Sequence, residues 1–75
     1  MFRATVPSAT RGRVDLFDIG GRRVRTLHDG PLPQGETVIT WDGDLEGGAR
    51  AVSGVYFASL ETPMGRRVTR VPVIR

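Results

Sequence analysis

Apolar and polar residues alternate along short stretches of this chain, and glycine or proline interrupts the alternation between most stretches. An alternation of period two puts successive side chains on opposite faces of a β-strand, and no window carries the period of a long amphipathic helix. The pattern predicts six strands, at residues 2–6, 12–18, 22–28, 36–41, 55–61 and 68–74. Because turn residues separate short strands throughout, the predicted fold class is all-β, a small antiparallel sandwich or barrel.

The alternation also selects a predicted core. The inward positions are Val14, Leu16, Val24, Ile39, Trp41, Tyr56, Ala58 and Leu60. Val55 and Phe57 break the pattern, since they put apolar side chains on the opposite face of the fifth strand. Either that strand is central and covered on both faces, or one apolar patch is exposed for a partner.

Three residues make local predictions about turns and edges. Asp18 opens the sequence Asp-Ile-Gly-Gly-Arg, where its side chain can accept backbone N–H groups and the two glycines can adopt positive φ in a tight hairpin. Pro72 has no N–H, so the last strand is predicted to lie at a sheet edge or to contain a bulge. Trp41 is predicted to plug the core while its indole N–H reaches a loop carbonyl.

Composition narrows the class of protein. A chain of 75 residues is one domain, and the absence of cysteine excludes disulfides, thiolate metal sites and thiol nucleophiles. No apolar run is long enough to span a bilayer, and residues 1–13 lack the apolar segment of a secretory signal, so no membrane insertion is expected. All eleven basic residues are arginine and the formal net charge is +3, which fits a soluble surface as well as a polyanion partner.

One acidic stretch is a weak calcium candidate. Asp42, Asp44 and Glu46, followed by Gly47, match the first half of a calcium-binding loop. The carboxylate needed to complete the loop would fall at position 53, which is Ser53. The favoured interpretation is therefore a polar hairpin loop in which Asp42 caps its own turn.

The remaining polar residues predict no catalysis and no cofactor. His28 is the only histidine, and no Ser or Cys nucleophile stands in a recognisable elbow, so it receives no role and the chain is not expected to be an enzyme. Aromatic residues are not interleaved with the arginines at 22–25 and 66–70, which disfavours nucleic acid as a partner.

Several motifs follow one another in a familiar order: a hairpin at residues 14–27, then Trp-Asp-Gly, a Gly-rich loop, and Ser-Gly-Val-Tyr-Phe. This order resembles two related β-sandwiches, the C-terminal sorting domain of type IX secretion substrates and the FlgD-type immunoglobulin-like domain of the flagellar hook-cap protein. The resemblance covers residues 2–75 and implies an immunoglobulin-like antiparallel β-sandwich of six to seven strands. The matching structural positions are Asp18, Gly21, Arg22, Trp41, Asp42, Gly43, Gly48, Gly54 and Tyr56.

The chain departs from that pattern in three places. It begins inside the first strand, Leu45 stands where Asp or Asn is usual, and Pro72 interrupts the last strand. The first departure predicts that residues 1–75 are the C-terminal fragment of a longer secreted protein.

The resemblance implies a non-enzymatic sorting and anchoring domain that directs a cargo protein through type IX secretion, by way of the periplasm, to the cell surface. Its partners would be the outer-membrane secretion machinery and the N-terminal cargo domain. The strand presented for recognition would contain Val68, Arg70, Val71, Val73, Ile74 and Arg75. The alternative is a FlgD-like structural or adhesion module that carries no address, and a small basic nucleic-acid-binding β domain stands third.

Overall fold

The computed structural model describes residues 2–74, and every regular element in that range is a strand. The strands are β1 (Phe2–Val6), β2 (Thr10–Phe17), β3 (Arg23–Leu32), β4 (Gly35–Ile39), β5 (Gly54–Thr62) and β6 (Gly65–Val73). They form two antiparallel sheets, a pair β1-β4 and a four-stranded sheet of order β3-β2-β5-β6. The all-β sandwich predicted from the alternation is confirmed.

The core lies on one face of the four-stranded sheet, which we call the inner face. In the β2–β5 register, Val14 lies opposite Leu60 and Leu16 opposite Ala58, so these side chains share that face. Leu16 is fully buried and packs with Tyr56 and Ala58. Neighbouring cross-strand side chains of this kind are the unit of sheet stabilisation.

The inner face is covered at one end by the β1–β4 pair and at the other end by the loop between β4 and β5. At one end, Ala4 of β1 and Ile39 of β4 pack on Val14, with Leu27 and Leu60 at the margin. At the other end, side chains of the loop between β4 and β5 pack on the Leu16 cluster; they are Trp41, Leu45 and Ala51. All eight predicted core positions therefore join the core, although Val24, Trp41 and Leu60 are only partly buried.

The boundaries of every strand except β1 differ from prediction, by more than two residues at the end of β3 and at the start of β6. β3 continues past its predicted end at residue 28, through Pro31 to Leu32; β3 is an edge strand, and an edge tolerates a missing N–H. His28 therefore lies inside a strand rather than at its end. β4 stops at Ile39, before Trp41, and β6 begins at Gly65, because residues 63 and 64 alone form the turn from β5.

Candidate partner interface

β6 is the last strand of the four-stranded sheet, and no strand within residues 2–74 pairs with its second side. Its first six residues, including Val68 and Arg70, are exposed. Val71 and Val73 are half-buried against the Leu16 cluster, and Ile74 follows the strand with 93% of its surface exposed. Arg75, the last residue of the predicted recognition strand, lies outside the described residues.

Pro72 fixes which backbone groups face the open side of β6. Pro72 lies opposite Val55, and that pair must be of the non-hydrogen-bonded kind because proline has no N–H to exchange. Hydrogen-bonded and non-hydrogen-bonded pairs alternate along an antiparallel ladder, so Arg66, Val68 and Arg70 also lie in non-hydrogen-bonded pairs with β5. The N–H and C=O groups of these three residues therefore point away from β5, and Pro72 adds only a carbonyl. The predicted edge position of Pro72 is confirmed.

The opposite face of the four-stranded sheet, which we call the outer face, carries an aromatic pair with an arginine at each end. Phe17 lies opposite both Phe57 and Arg23, and Phe57 lies opposite Arg70, so one row crosses all four strands as Arg23, Phe17, Phe57 and Arg70. The guanidinium of Arg66 lies over the Phe17 ring at 5.7 Å, and its Nε donates to Ser59 Oγ at 2.7 Å. β5 is thus central in its sheet, as one of the two expectations for Phe57 required.

Although β5 is central, it is not covered on both faces, because no other layer of described residues covers the outer face; the second alternative, an exposed apolar patch, therefore applies. Val55, Phe17 and Phe57 are only partly buried. A groove of about 250 Å³ opens beside the rings, and Ile19 and Val68 on its wall are 78% and 56% exposed. An exposed apolar groove of this kind is a feature of interaction surfaces.

The β2–β3 turn forms one wall of that groove. Asp18 Oδ1 accepts hydrogen bonds from the amides of Gly20 and Arg22 at 3.0 and 2.9 Å, which is an Asx-type turn. Gly21 has φ +85°, whereas Gly20 is not in the positive-φ region, so the expectation that both glycines adopt positive φ is wrong for Gly20. The hydrogen bond from the Gly20 amide to the Asp18 carboxylate fixes the turn at this position without a positive φ at Gly20. Arg22 Nε lies 3.7 Å from Asp18 Oδ2 on the surface.

Trp41 organises the loop between β4 and β5. Its indole N–H donates to the carbonyl oxygen of Asp44 at 2.8 Å, and its ring meets Tyr56 edge-on at a centroid distance of 5.7 Å. Arg25 Nη1 donates to the same Asp44 carbonyl at 2.8 Å and to Asp42 Oδ1 at 2.6 Å. Two donors from different elements therefore converge on one backbone oxygen and tie the loop to β3.

The weak calcium candidate is not assembled in this loop. Asp42 Oδ1 accepts from the Asp44 amide at 2.9 Å as well as from Arg25, so Asp42 caps its own turn. The hydrogen bond from the Asp44 amide and then the interaction with Arg25 lower the pKa of Asp42 below its usual value. No group of three or more His, Asp or Glu side chains within residues 2–74 could hold a metal ion, so Asp42, Asp44 and Glu46 do not converge.

The other predicted motif residues lie around the same loop. Gly43 and Gly48 have φ +87° and +94°, and the Gly48 amide donates to the Leu45 carbonyl at 3.0 Å. Gly54 begins β5, two residues before Tyr56. The Tyr56 hydroxyl donates to the Val52 carbonyl at 2.9 Å. These residues shape the loop.

A family model for the FlgD Ig-like domain matches residues 3–65 of the chain. This match spans most of the chain, from the second residue of β1 through the whole of β5. The chain belongs to the FlgD Ig-like domain family. No curated protein and no solved structure matches it.

The FlgD Ig-like match supports a module of this kind, and it does not extend to type IX sorting. The matched segment ends at Gly65, the first residue of β6, so the rest of that open-edged strand lies beyond the match. No helix among the described residues is long and apolar enough to cross a bilayer.

The sequence pattern did not reveal the other side chains of the outer face of this FlgD Ig-like domain, which are Phe17, Arg23 and Arg70. Phe17 was not singled out, and Arg23 and Arg70 were seen only as members of separate arginine clusters. The structure divides each cluster between faces: Arg25 binds the inner loop while Arg23 lies on the outer face. The alternation itself could have identified Phe17 as an outer-face residue, because Phe17 follows the inward Leu16 just as Phe57 follows the inward Tyr56.

Proposed function

We propose that the chain is a non-catalytic immunoglobulin-like module of a longer protein, which binds a neighbouring protein through the open edge of β6. The observation that carries this proposal is the set of outward N–H and C=O groups at Arg66, Val68 and Arg70. An extended segment of a partner can pair with such groups by adding a strand to the sheet. Membership of the FlgD Ig-like family supports a structural or adhesion role rather than a catalytic one.

The side chains of β6 make this edge selective. Arginine on an exposed strand and proline at its end are features that prevent indiscriminate pairing between edges. A partner must therefore supply carboxylates near the arginines. Its carbonyl opposite Pro72 receives no hydrogen bond, because proline has no N–H. We place the module outside the cytoplasm, in an assembly of neighbouring proteins, by its resemblance to hook-cap modules.

Photo-crosslinking in the cells that make the full-length protein tests this function. A benzoylphenylalanine at Thr69, which is exposed on β6, is compared with one at Thr40, which is also exposed but lies outside the strands. We expect a discrete adduct from position 69 that disappears when Val68→Pro removes an outward amide. Equal adducts from both positions, or an adduct that survives Val68→Pro in a folded protein, would refute edge binding.

Type IX sorting is a second candidate, and the position of β6 supports it. A strand that ends the sheet, follows the family match and keeps its outer side open is accessible to a secretion machine. A reporter fused to the domain and to an export signal, expressed in a host with that machinery, tests it against a fusion lacking residues 68–75. Equal amounts of both reporters at the cell surface would end this idea.

A further inference from the structure

The outer face has a shape and a charge that the edge of β6 does not explain. Its aromatic row places Arg23 and Arg70 at opposite ends, three strand spacings apart, which is about 14 Å between their Cα atoms. Phe17 and Phe57 form the floor between them, and the groove lined by Ile19 opens beside the rings. The arrangement is an apolar pair with a cation at each end of its row.

Three of the arginines on this face are not neutralised by any part of the domain that the structure describes. No carboxylate in residues 2–74 lies within ion-pair distance of Arg23, Arg66 or Arg70. Asp15, the acidic residue of the adjacent row, is bound by Arg13 Nε at 2.9 Å and by the Thr26 hydroxyl at 2.7 Å. The face therefore carries three unpaired positive charges around an apolar groove.

We infer that the outer face binds an acidic segment of a partner protein, with a large apolar side chain in the groove beside the Phe17 and Phe57 rings and carboxylates at Arg23 and Arg70. Arginine suits this role because its planar fork binds a carboxylate through two parallel hydrogen bonds. In an extended segment, residues two before and two after the apolar anchor lie about 13 Å apart on its own side. That spacing matches the separation of the two arginines.

Two other occupants fit the face less well. A second copy of this chain, docked face to face, would bring three unpaired arginines against three more, which opposes association. Single-stranded nucleic acid binds by stacking bases on aromatic faces, yet the Arg66 guanidinium already covers one face of the Phe17 ring at 5.7 Å. The open groove beside the rings accepts a side chain of a protein without displacing Arg66.

NMR titration of the isotope-labelled chain tests the inference with defined peptides. The probe is a seven-residue peptide with a central phenylalanine and a glutamate two residues away on each side. We expect saturable shift changes at Phe17, Ile19 and Phe57. Replacing both glutamates by glutamine, or the phenylalanine by alanine, should weaken binding about tenfold, as two partly exposed ion pairs or one aromatic anchor would.

Matched variants of the chain separate this site from general electrostatics. Arg23→Glu with Arg70→Glu should weaken the probe about tenfold or more. Arg50→Glu with Arg67→Glu makes the same change in net charge away from the outer face, and should leave affinity within about twofold. The variants Arg23→Gln and Arg70→Gln repeat the test should the reversed charges impair folding.

Three results would overturn the inference. They are equal losses in the two double variants, shift changes confined to β6, and tighter binding of an eight-nucleotide single-stranded DNA at the same face. The test is distinguishable from the edge experiment by its readout, because shift changes at Phe17, Ile19 and Phe57 report the outer face whereas the crosslink from position 69 reports the edge of β6. Failure of one proposal therefore leaves the other standing.

Discussion

A pair of proline substitutions in β6 tests the backbone orientation on which edge binding depends. Val68 has its N–H on the open side, whereas Thr69 lies opposite Ala58 in a hydrogen-bonded pair of the β5–β6 ladder. Val68→Pro removes an amide that bonds no other strand, and Val68 is already 56% exposed. Thr69→Pro removes a ladder donor and leaves the carbonyl of Ala58, a residue that is 6% exposed, without its partner.

The two changes differ in expected cost by a wide margin. For Thr69→Pro, the lost hydrogen bond and the unpaired carbonyl cost about 1–3 kcal/mol, and the clash of the ring with the ladder raises the total to about 3 kcal/mol or more. For Val68→Pro the loss of packing is small and the stiffer unfolded chain offsets part of it, so the change should stay within about 1 kcal/mol. A domain of this size has about 4–10 kcal/mol of stability in all.

Urea unfolding followed by the fluorescence of Trp41 measures both variants, since it is the only tryptophan of the chain and lies against Tyr56. Pro72→Val serves as a control at a natural proline of the same kind and should change stability little. Equal destabilisation by the two prolines, or greater destabilisation by Val68→Pro, would refute the assignment of outward amides and with it the proposed edge.

Four further predictions concern the core, a close approach, the loop and its pH dependence. Leu16→Ala should cost about 2–5 kcal/mol by urea unfolding, because the side chain is fully buried. Gly12→Ala should cost about 1–3 kcal/mol in the same assay, since the new methyl group would overlap Cδ1 of buried Leu32; insensitivity would show that Leu32 can move. Trp41→Phe and Arg25→Met should be non-additive in a double-mutant cycle read by circular dichroism, the double variant exceeding the sum by about 1 kcal/mol, because either donor alone satisfies the Asp44 carbonyl. Asp42→Asn should lower the thermal midpoint at pH 7, and its difference from the wild type should vanish in acid: the pKa of Asp42 is lowered on folding, so its contribution is present above the unfolded pKa of about 4 and is lost as pH falls through the folded value.

Local rules were sufficient for much of this fold. The alternation of Val14 and Leu16 against their polar neighbours identified the inner face, because a strand with one buried face must repeat every second residue. Pro72 identified an edge because a central strand cannot spare an N–H. The indole of Trp41 donates to a loop carbonyl as the sequence indicated, since a partly buried indole N–H requires an acceptor.

Local sequence rules could not predict contacts between strands and loops that are distant in the chain. Arg25 and Asp42 are joined by contacts across the β4–β5 loop, and nothing in either local sequence identifies the other. The extension of β3 through Pro31 runs against its turn signals, and only its edge position in the finished sheet permits it. The row from Arg23 to Arg70 needs the register of three strand pairs at once. The candidate interface was therefore visible in parts, as an odd Phe57 and two arginine clusters, but not as a surface.

The structure also shows why deleting β6 is a weak test of what β6 recognises. Val71 and Val73 are part of the Leu16 cluster, so removing residues 68–75 takes apolar surface from the core. The deletion would also expose the backbone of β5 at residues 54–59 as a new edge, with its own tendency to pair or aggregate. A truncated reporter that fails to reach its destination could have lost either its fold or its recognition strand. Val68→Pro keeps the core and the β5 ladder while it removes one outward amide, so a folded Val68→Pro reporter that still fails to arrive attributes the failure to recognition alone.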